Sequence, residues 1–444
     1  MKKLPTREEL IAQGYPFGMV TEGIPFGDSA VEWMRTAPDV KVYIPEKDMG
    51  PDCDNCVLAV TPTPDGKELL AIWTQSSAEC FGDKQIVIAR TDDGENWSAP
   101  QTVIGARSRE EKQSSWGMPM YTRSGRLYIF YIQESDRQDL PGVASGELAL
   151  MYSDDDGRSW SVPGIAPLPR CRYDHPDPTV SKNWWSFQAP IRDAQGRFIA
   201  GFTIESSPAA IGDKRHPYPN TDTRAAFIRF ENLDDDPEPQ DVRVSILPED
   251  GLEVPNKNYP EVSTAQEAAP VLLPDGRLFA TMRTMAGCIY YTVWDGERWC
   301  APRPMRGPDG QPMPHPLGPC PIYRLQDGTY LCLTYNNPGQ RLGFDVFAPD
   351  AHVQALNVAR GPLYLVAGVF DPTGEQPIRF GAPVLFIDTD AVALGKRKQS
   401  CTAPLYTAVT QWRGKTMLWY PDRKYQILGK EILPEFLSQL CKDL

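Results

Sequence analysis

The sequence predicts an all-β fold, a six-bladed β-propeller. Three observations predict it: a tight-turned hairpin that recurs six times, a composition rich in turn residues, and a scarcity of helix. The turns are Asp65-Gly66-Lys67, Ser124-Gly125-Arg126, Gln195-Gly196-Arg197, Asp275-Gly276-Arg277, Asp327-Gly328-Thr329 and Arg413-Gly414-Lys415. An extended run precedes each turn and another follows, as in Leu127-Tyr128-Ile129-Phe130-Tyr131 and Thr416-Met417-Leu418-Trp419-Tyr420. Glycine supplies the positive φ that such turns demand. Hairpins repeated at blade-length spacing argue for blades around a channel.

The 44 Pro and 35 Gly among 444 residues suit many turns between short strands. A hydrophobic fraction of 41% is ample for a packed core. Propellers exceed the usual domain size as one unit, so residues 1–444 are expected to form a single propeller domain. N-terminal residues are expected to close the last blade. Short helical extensions are expected over residues 5–13 and Leu433–Leu440. The Pro-rich segments 206–222 and 305–320 read as insertions that wall a pocket.

A second motif follows several hairpins. One copy is Thr91-Asp92-Asp93-Gly94-Glu95-Asn96-Trp97, another runs from Ser153 through Asp155 and Gly157 to Trp160, and a decayed copy spans Trp294–Trp299. Its Asp caps its own turn and its Trp packs beneath, between sheets. The motif is structural, so its acids are not catalytic candidates.

The net charge of −13 and a pI near 5.0 leave no basic face for nucleic acid. A few arginines in a pocket are still enough for an anionic ligand. No apolar stretch follows Met1-Lys2-Lys3, and none elsewhere is long enough to span a bilayer, so neither a signal peptide nor a membrane segment is expected. The ten Cys lie mostly inside apolar strand patterns, which suits reduced thiols and a cytoplasmic location. Cys53 and Cys56 lack a second pair at zinc spacing. With no His cluster and no phosphate-binding loop, neither metal nor cofactor is expected.

The Asp-boxes and the order of motifs around them resemble the sialidase-like (BNR, or Asp-box) superfamily of the bacterial neuraminidase type, from about Asp54 to the last strand. The resemblance implies an arginine triad around a substrate carboxylate, a Tyr nucleophile assisted by a Glu, and an acid/base Asp. The segment Gln266-Glu267 to Met282-Arg283 is similar to the family's Glu–hairpin–Arg segment. It implies Glu267 as the assisting Glu and Arg283 as a triad arginine, both on inner strands. Tyr335-Asn336-Asn337-Pro338, with Arg360-Gly361-Pro362-Leu363 after it, looks like the segment that carries another triad arginine. It implies Arg360, with Asn337 beside the ligand.

Two departures stand out. Where the family has Arg-Ile-Pro in the first blade, this chain has Asp52-Cys53-Asp54-Asn55-Cys56, which leaves the triad incomplete and Asn55 near its place. In the last blade the expected Tyr reads as replaced within Gln399–Pro404, by Cys401 or a neighbour.

Other groups complete the candidate site. Glu79 and Asp83 lie on the loop that carries the acid/base in sialidases, and Glu205 ends the corresponding strand of the third blade. Glu79, Glu205 and Glu267 are expected to reach one cavity and divide into acid and base. His175 and His216 sit on loops that could roof it, where a base would serve a lyase. Trp116, Trp184 and Trp185 are candidate sugar platforms. The expected function is an exo-acting, sialidase-like glycoside hydrolase on an acidic or modified sugar, though not a true sialidase. A polysaccharide lyase acting on uronate-containing glycans and a non-catalytic glycan-binding propeller are the alternatives. The expected partner is a carbohydrate, with self-association left open and neither nucleic acid nor membrane foreseen.

Overall fold

Six antiparallel sheets stand in a ring in the computed structural model, which describes residue 12 and residues 31–444 except 48, 80–81, 107–111, 141–144, 213–221, 342–343, 346–355, 357, 395–399 and 443. The first blade runs outward from Asp54–Pro62 through Leu69–Ser76 and Gln85–Thr91 to Gln101–Gly105. Ser114–Tyr121, Asn183–Trp185, Gln266–Leu272, Ile322–Arg324 and Ala408–Trp412 are the innermost strands of the other five. In the sixth blade, Val40–Tyr43 pairs as the outermost strand with Gln426–Glu431, so an N-terminal strand closes the ring.

All six hairpin turns join an innermost strand to the second strand of its blade. Their glycines, Gly66, Gly125, Gly196, Gly276, Gly328 and Gly414, have φ between 68 and 97°. At Arg413-Gly414 both residues are left-handed, a two-residue turn between Trp412 and Lys415.

The Asp-boxes cap the turns after third strands. Asp93 accepts from the backbone N–H of Glu95 and Asn96, and Asp155 from those of Arg158 and Ser159. Trp97 meets Trp419 of the sixth blade edge-on at 5.3 Å, and Trp299 stacks on Phe227 of the third at 3.7 Å. The motif therefore joins neighbouring blades. Turns after first and third strands share one end of the ring, so these acids lie opposite the end where second strands finish.

The C-terminal helix spans Pro434–Leu440. Apart from Ala12, the N-terminal helix expected over 5–13 lies outside the described residues, as does His216. The 206–222 insertion contains the short helix Pro208–Ile211. Cys171, Cys288, Cys300, Cys320, Cys332 and Cys441 are free thiols.

Candidate active site

Three of the innermost strands share a local defect. Val57, Trp116 and Glu267 each have positive φ, at 54, 59 and 48°, and each lies where strand register shifts. Each stands nine residues before its turn glycine. Tyr406, with φ 54°, stands eight before Gly414 in the blade with the tightest turn. A left-handed bulge residue leaves the ladder and re-aims its side chain, and such strain concentrates at functional sites.

Groups on neighbouring blades hold these residues. The N–H of Glu267 donates to Thr203 Oγ1 at 2.8 Å, and that of Trp116 to Thr74 Oγ1 at 2.7 Å. The Tyr406 carbonyl accepts from Leu58 N at 3.1 Å.

Tyr406 and Glu267 meet at the end of the ring where second strands finish. The Tyr406 hydroxyl donates to Glu267 Oε1 at 3.1 Å. Arg283 Nη1 donates to the same oxygen at 2.8 Å, and Trp185 Nε1 at 3.2 Å. Arg283 Nη1 also lies 3.5 Å from the Tyr406 hydroxyl. Glu267 is only 2% exposed, and its Oε2 is buried without a hydrogen-bond partner among the described residues. Phe187 crosses the Tyr406 ring in a T at 6.0 Å. Burial, and then the Glu267 charge, push the Tyr406 phenol up to about 12, against the pull of Arg283, Lys424 and Arg360. The phenol is therefore neutral near pH 7 and holds its proton towards a carboxylate.

Tyr406 corrects the expectation that the last blade lacks a tyrosine. Cys401, read as the replacement, is buried five residues earlier. Counting back from the turn glycines puts Glu267 nine residues and Tyr406 eight residues upstream, so the spacing leads to Tyr406 only once the shorter turn of the sixth blade is allowed for. A resemblance to local residue strings misses this register.

The other candidates separate by their hydrogen bonds. Arg283 ends the second strand of the fourth blade, whereas Glu267 lies on the innermost strand, which corrects the expectation of inner strands for both. Arg360 is 7% exposed; its Nε donates to Leu317 O, and its carbonyl accepts from Ala403 N, close to Tyr406. Neither Nη of Arg360 has a protein acceptor among the described residues. Asn337 donates to Tyr335 O and Ala359 O and so ties the loop that carries Arg360.

Asn55 is buried with its capacity used inside the protein. It donates to Asp52 O and Tyr425 O, and accepts from Trp73 and Gln75. This corrects its reading as a ligand contact. Trp184 is core, donating to Gly146 O, and Trp185 is buried on Glu267, so neither is an open platform. Trp116 is partly exposed, with the Lys84 ammonium 5.3 Å from its ring.

Glu79 is 55% exposed by side chain and pairs with Lys424 Nζ at 2.6 Å, and that ammonium lies 5.6 Å from the Tyr406 ring. Asp83 is bound by the Ser77 N–H and hydroxyl, which makes it a loop staple. Glu205 is buried opposite Asn183 and Thr223, and neither Glu267 nor Tyr406 bonds to it. His175 accepts from Asp177 N within its own loop. Among the described residues, no group of three His, Cys, Asp or Glu side chains is placed to hold a metal.

Six blades with Asp-box turns among them define a BNR-type β-propeller. The chain belongs to the family described as BNR repeat-like domain, which matches residues 67–375. No curated protein matches the sequence. Among solved structures it is similar to a leech intramolecular trans-sialidase complexed with 2,7-anhydro-Neu5Ac, at 13% identity and TM-score 0.53, covering 99% of this chain and 73% of that one. The intramolecular trans-sialidase of Ruminococcus gnavus gives 12% identity and TM-score 0.55, covering 90% and 98%. The NanB sialidase of Streptococcus pneumoniae gives 11% and 0.56, covering 89% and 71%. At such identities the likeness is one of fold.

Proposed function

We propose that this protein is a glycosidase that cleaves an acidic sugar from the end of a glycan through a covalent tyrosyl intermediate. The hydrogen bond from Tyr406 to Glu267 carries the proposal. A nucleophile within reach of a base, itself oriented by a third group, is the arrangement that covalent catalysis requires. Here the third group is Arg283, with Trp185 beside it.

In the proposed first step, Tyr406 Oη bonds to the anomeric carbon and its proton passes to Glu267. The bond to the leaving oxygen breaks as Glu79, which must first leave Lys424 and take up a proton from solvent, donates that proton to it. In the second, Glu79 takes a proton from water, whose oxygen displaces Tyr406, and the phenol recovers its proton from Glu267. Two displacements give net retention. A neutral phenol also suits a substrate with a carboxylate next to the reacting carbon, because a carboxylate nucleophile would meet it with like charge. Arg360 offers two uncommitted nitrogens to such an anion. In this reading Tyr406 takes the part of the nucleophile, and Asn55 lies in the first-blade segment where the resemblance implies an arginine.

The test is product analysis by mass spectrometry on a panel of acidic glycosides, with an activated fluoro-sugar as a trap. A glycosyl adduct mapped to Tyr406 supports the proposal. Unsaturated, ultraviolet-absorbing products would mark a lyase, and binding without turnover a glycan-binding propeller. Because two similar structures are intramolecular trans-sialidases, the panel also separates hydrated from anhydro products.

A further inference from the structure

We propose that Lys424 is a specificity-determining residue of this site, its ammonium forming with Arg360 a cationic bracket for a carboxylate at the reacting end of the sugar. The inference rests on the function proposed above. It begins with backbone. Asp422 and Gln426 pair at a tight hairpin turn in the sixth blade, and inside it Arg423 and Lys424 have φ of 52 and 56°. Consecutive left-handed residues in such a turn favour Asn-Gly, so two long basic side chains there are held against local preference.

What holds them is a buried ionic network. Arg423 is fully buried and bonds Asp422 through Nε and Nη2, at 3.0 and 2.8 Å. Its Nη1 reaches Glu32 at 3.1 Å, and Glu32 bonds Arg35, which reaches Asp390. The Lys424 carbonyl accepts from Asn55 N at 2.9 Å, and the Asn55 side chain grips Tyr425 O at 2.6 Å. One side of the turn is thus anchored in the protein while Lys424 is delivered towards Tyr406.

Lys424 is itself 8% exposed, which is costly for an ammonium. Burial works to lower its proton affinity, but the Glu79 carboxylate above all outweighs it, and the lysine stays charged. An exposed ion pair needs neither a strained turn nor a second network beneath it. A cation required beside the Tyr406 ring needs both. The first-blade residue that meets the Lys424 backbone is Asn55, whose amide is spent within the protein. Arg360 approaches the Tyr406 segment from the fifth blade, and Lys424 contacts the first-blade strand that flanks its other side.

The experiment is calorimetric binding, without turnover, of 2-deoxy-2,3-didehydro-N-acetylneuraminic acid and its methyl ester to wild type, Lys424→Met, Lys424→Arg and Glu79→Gln. One lost charge-assisted contact predicts an affinity loss of about 10- to 100-fold for the acid in Lys424→Met. The ester should shift less than about twofold, Lys424→Arg should restore most of the loss, and Glu79→Gln should keep the preference for acid over ester. Three results would overturn the proposal: no such preference in wild type, equal losses for acid and ester in Lys424→Met, or loss of the preference in Glu79→Gln. Trapping at Tyr406 reports separately on the proposed function.

Discussion

The Tyr406 hydroxyl meets Oε1 of Glu267 at 3.1 Å, although 139 residues separate them in the chain. If this pair is nucleophile and base, Tyr406→Phe should lower kcat by about 1000-fold or more and leave the thermal midpoint nearly unchanged. Glu267 keeps its bonds to Arg283 and Trp185 in that variant. Glu267→Gln should cost about 100- to 10,000-fold, the range of a positioned general base. Steady-state rates on the best glycoside of the panel, with melting curves, check both.

Glu79 is the proposed proton donor. Glu79→Gln should slow glycosides with poor leaving groups far more than activated aryl glycosides, because only the former need protonation. A plot of rate against leaving-group pKa, steeper in the variant than in wild type, is the expected result.

The bulge at Glu267 rests on Thr203, as that at Trp116 rests on Thr74. Thr203→Val and Thr74→Val each leave a buried N–H without its acceptor, at about 1–3 kcal/mol by denaturant unfolding. Only Thr203→Val should also lower kcat substantially, because only there does the bulge carry the proposed base. Equal kinetic losses would argue against the bulge as the positioning device.

His315 makes the Arg360 side of the site sensitive to acid. It is fully buried, with Nε2–H donating to Gly318 O, Nδ1 accepting from Tyr335 N, and the ring stacked on Tyr335 at 5.3 Å. Burial first, with Arg360 and Arg283 nearby, pulls it down to about 4, against backbone carbonyl contacts that raise it. The folded value lies below the unfolded one of about 6.5, so its stability contribution is present above pH 6.5 and lost as pH falls towards 4. The linkage amounts to about 3 kcal/mol. Unfolding free energy measured across this window should fall less steeply in His315→Gln than in wild type.

The Asp-boxes should prove structural. Asp155→Ala removes the acceptor for two turn N–H groups and should cost about 1 kcal/mol with kcat unchanged.

Sequence alone determined the architecture, because it is written in local chemistry. Left-handed turns favour glycine and Asp-boxes are marked by their Asp and Trp, so six blades could be counted before any contact was known. Glu267, Arg283 and Arg360 were legible because short segments carry them intact. Tyr406 was not, because its neighbours match no such segment and its role depends on a register shared by blades far apart in sequence. The bonds of Asn55, the burial of Trp184 and the delivery of Lys424 by a turn were likewise decided only by tertiary structure. Whether a polar side chain faces a ligand or spends its hydrogen bonds on the protein depends on partners that packing brings from distant blades.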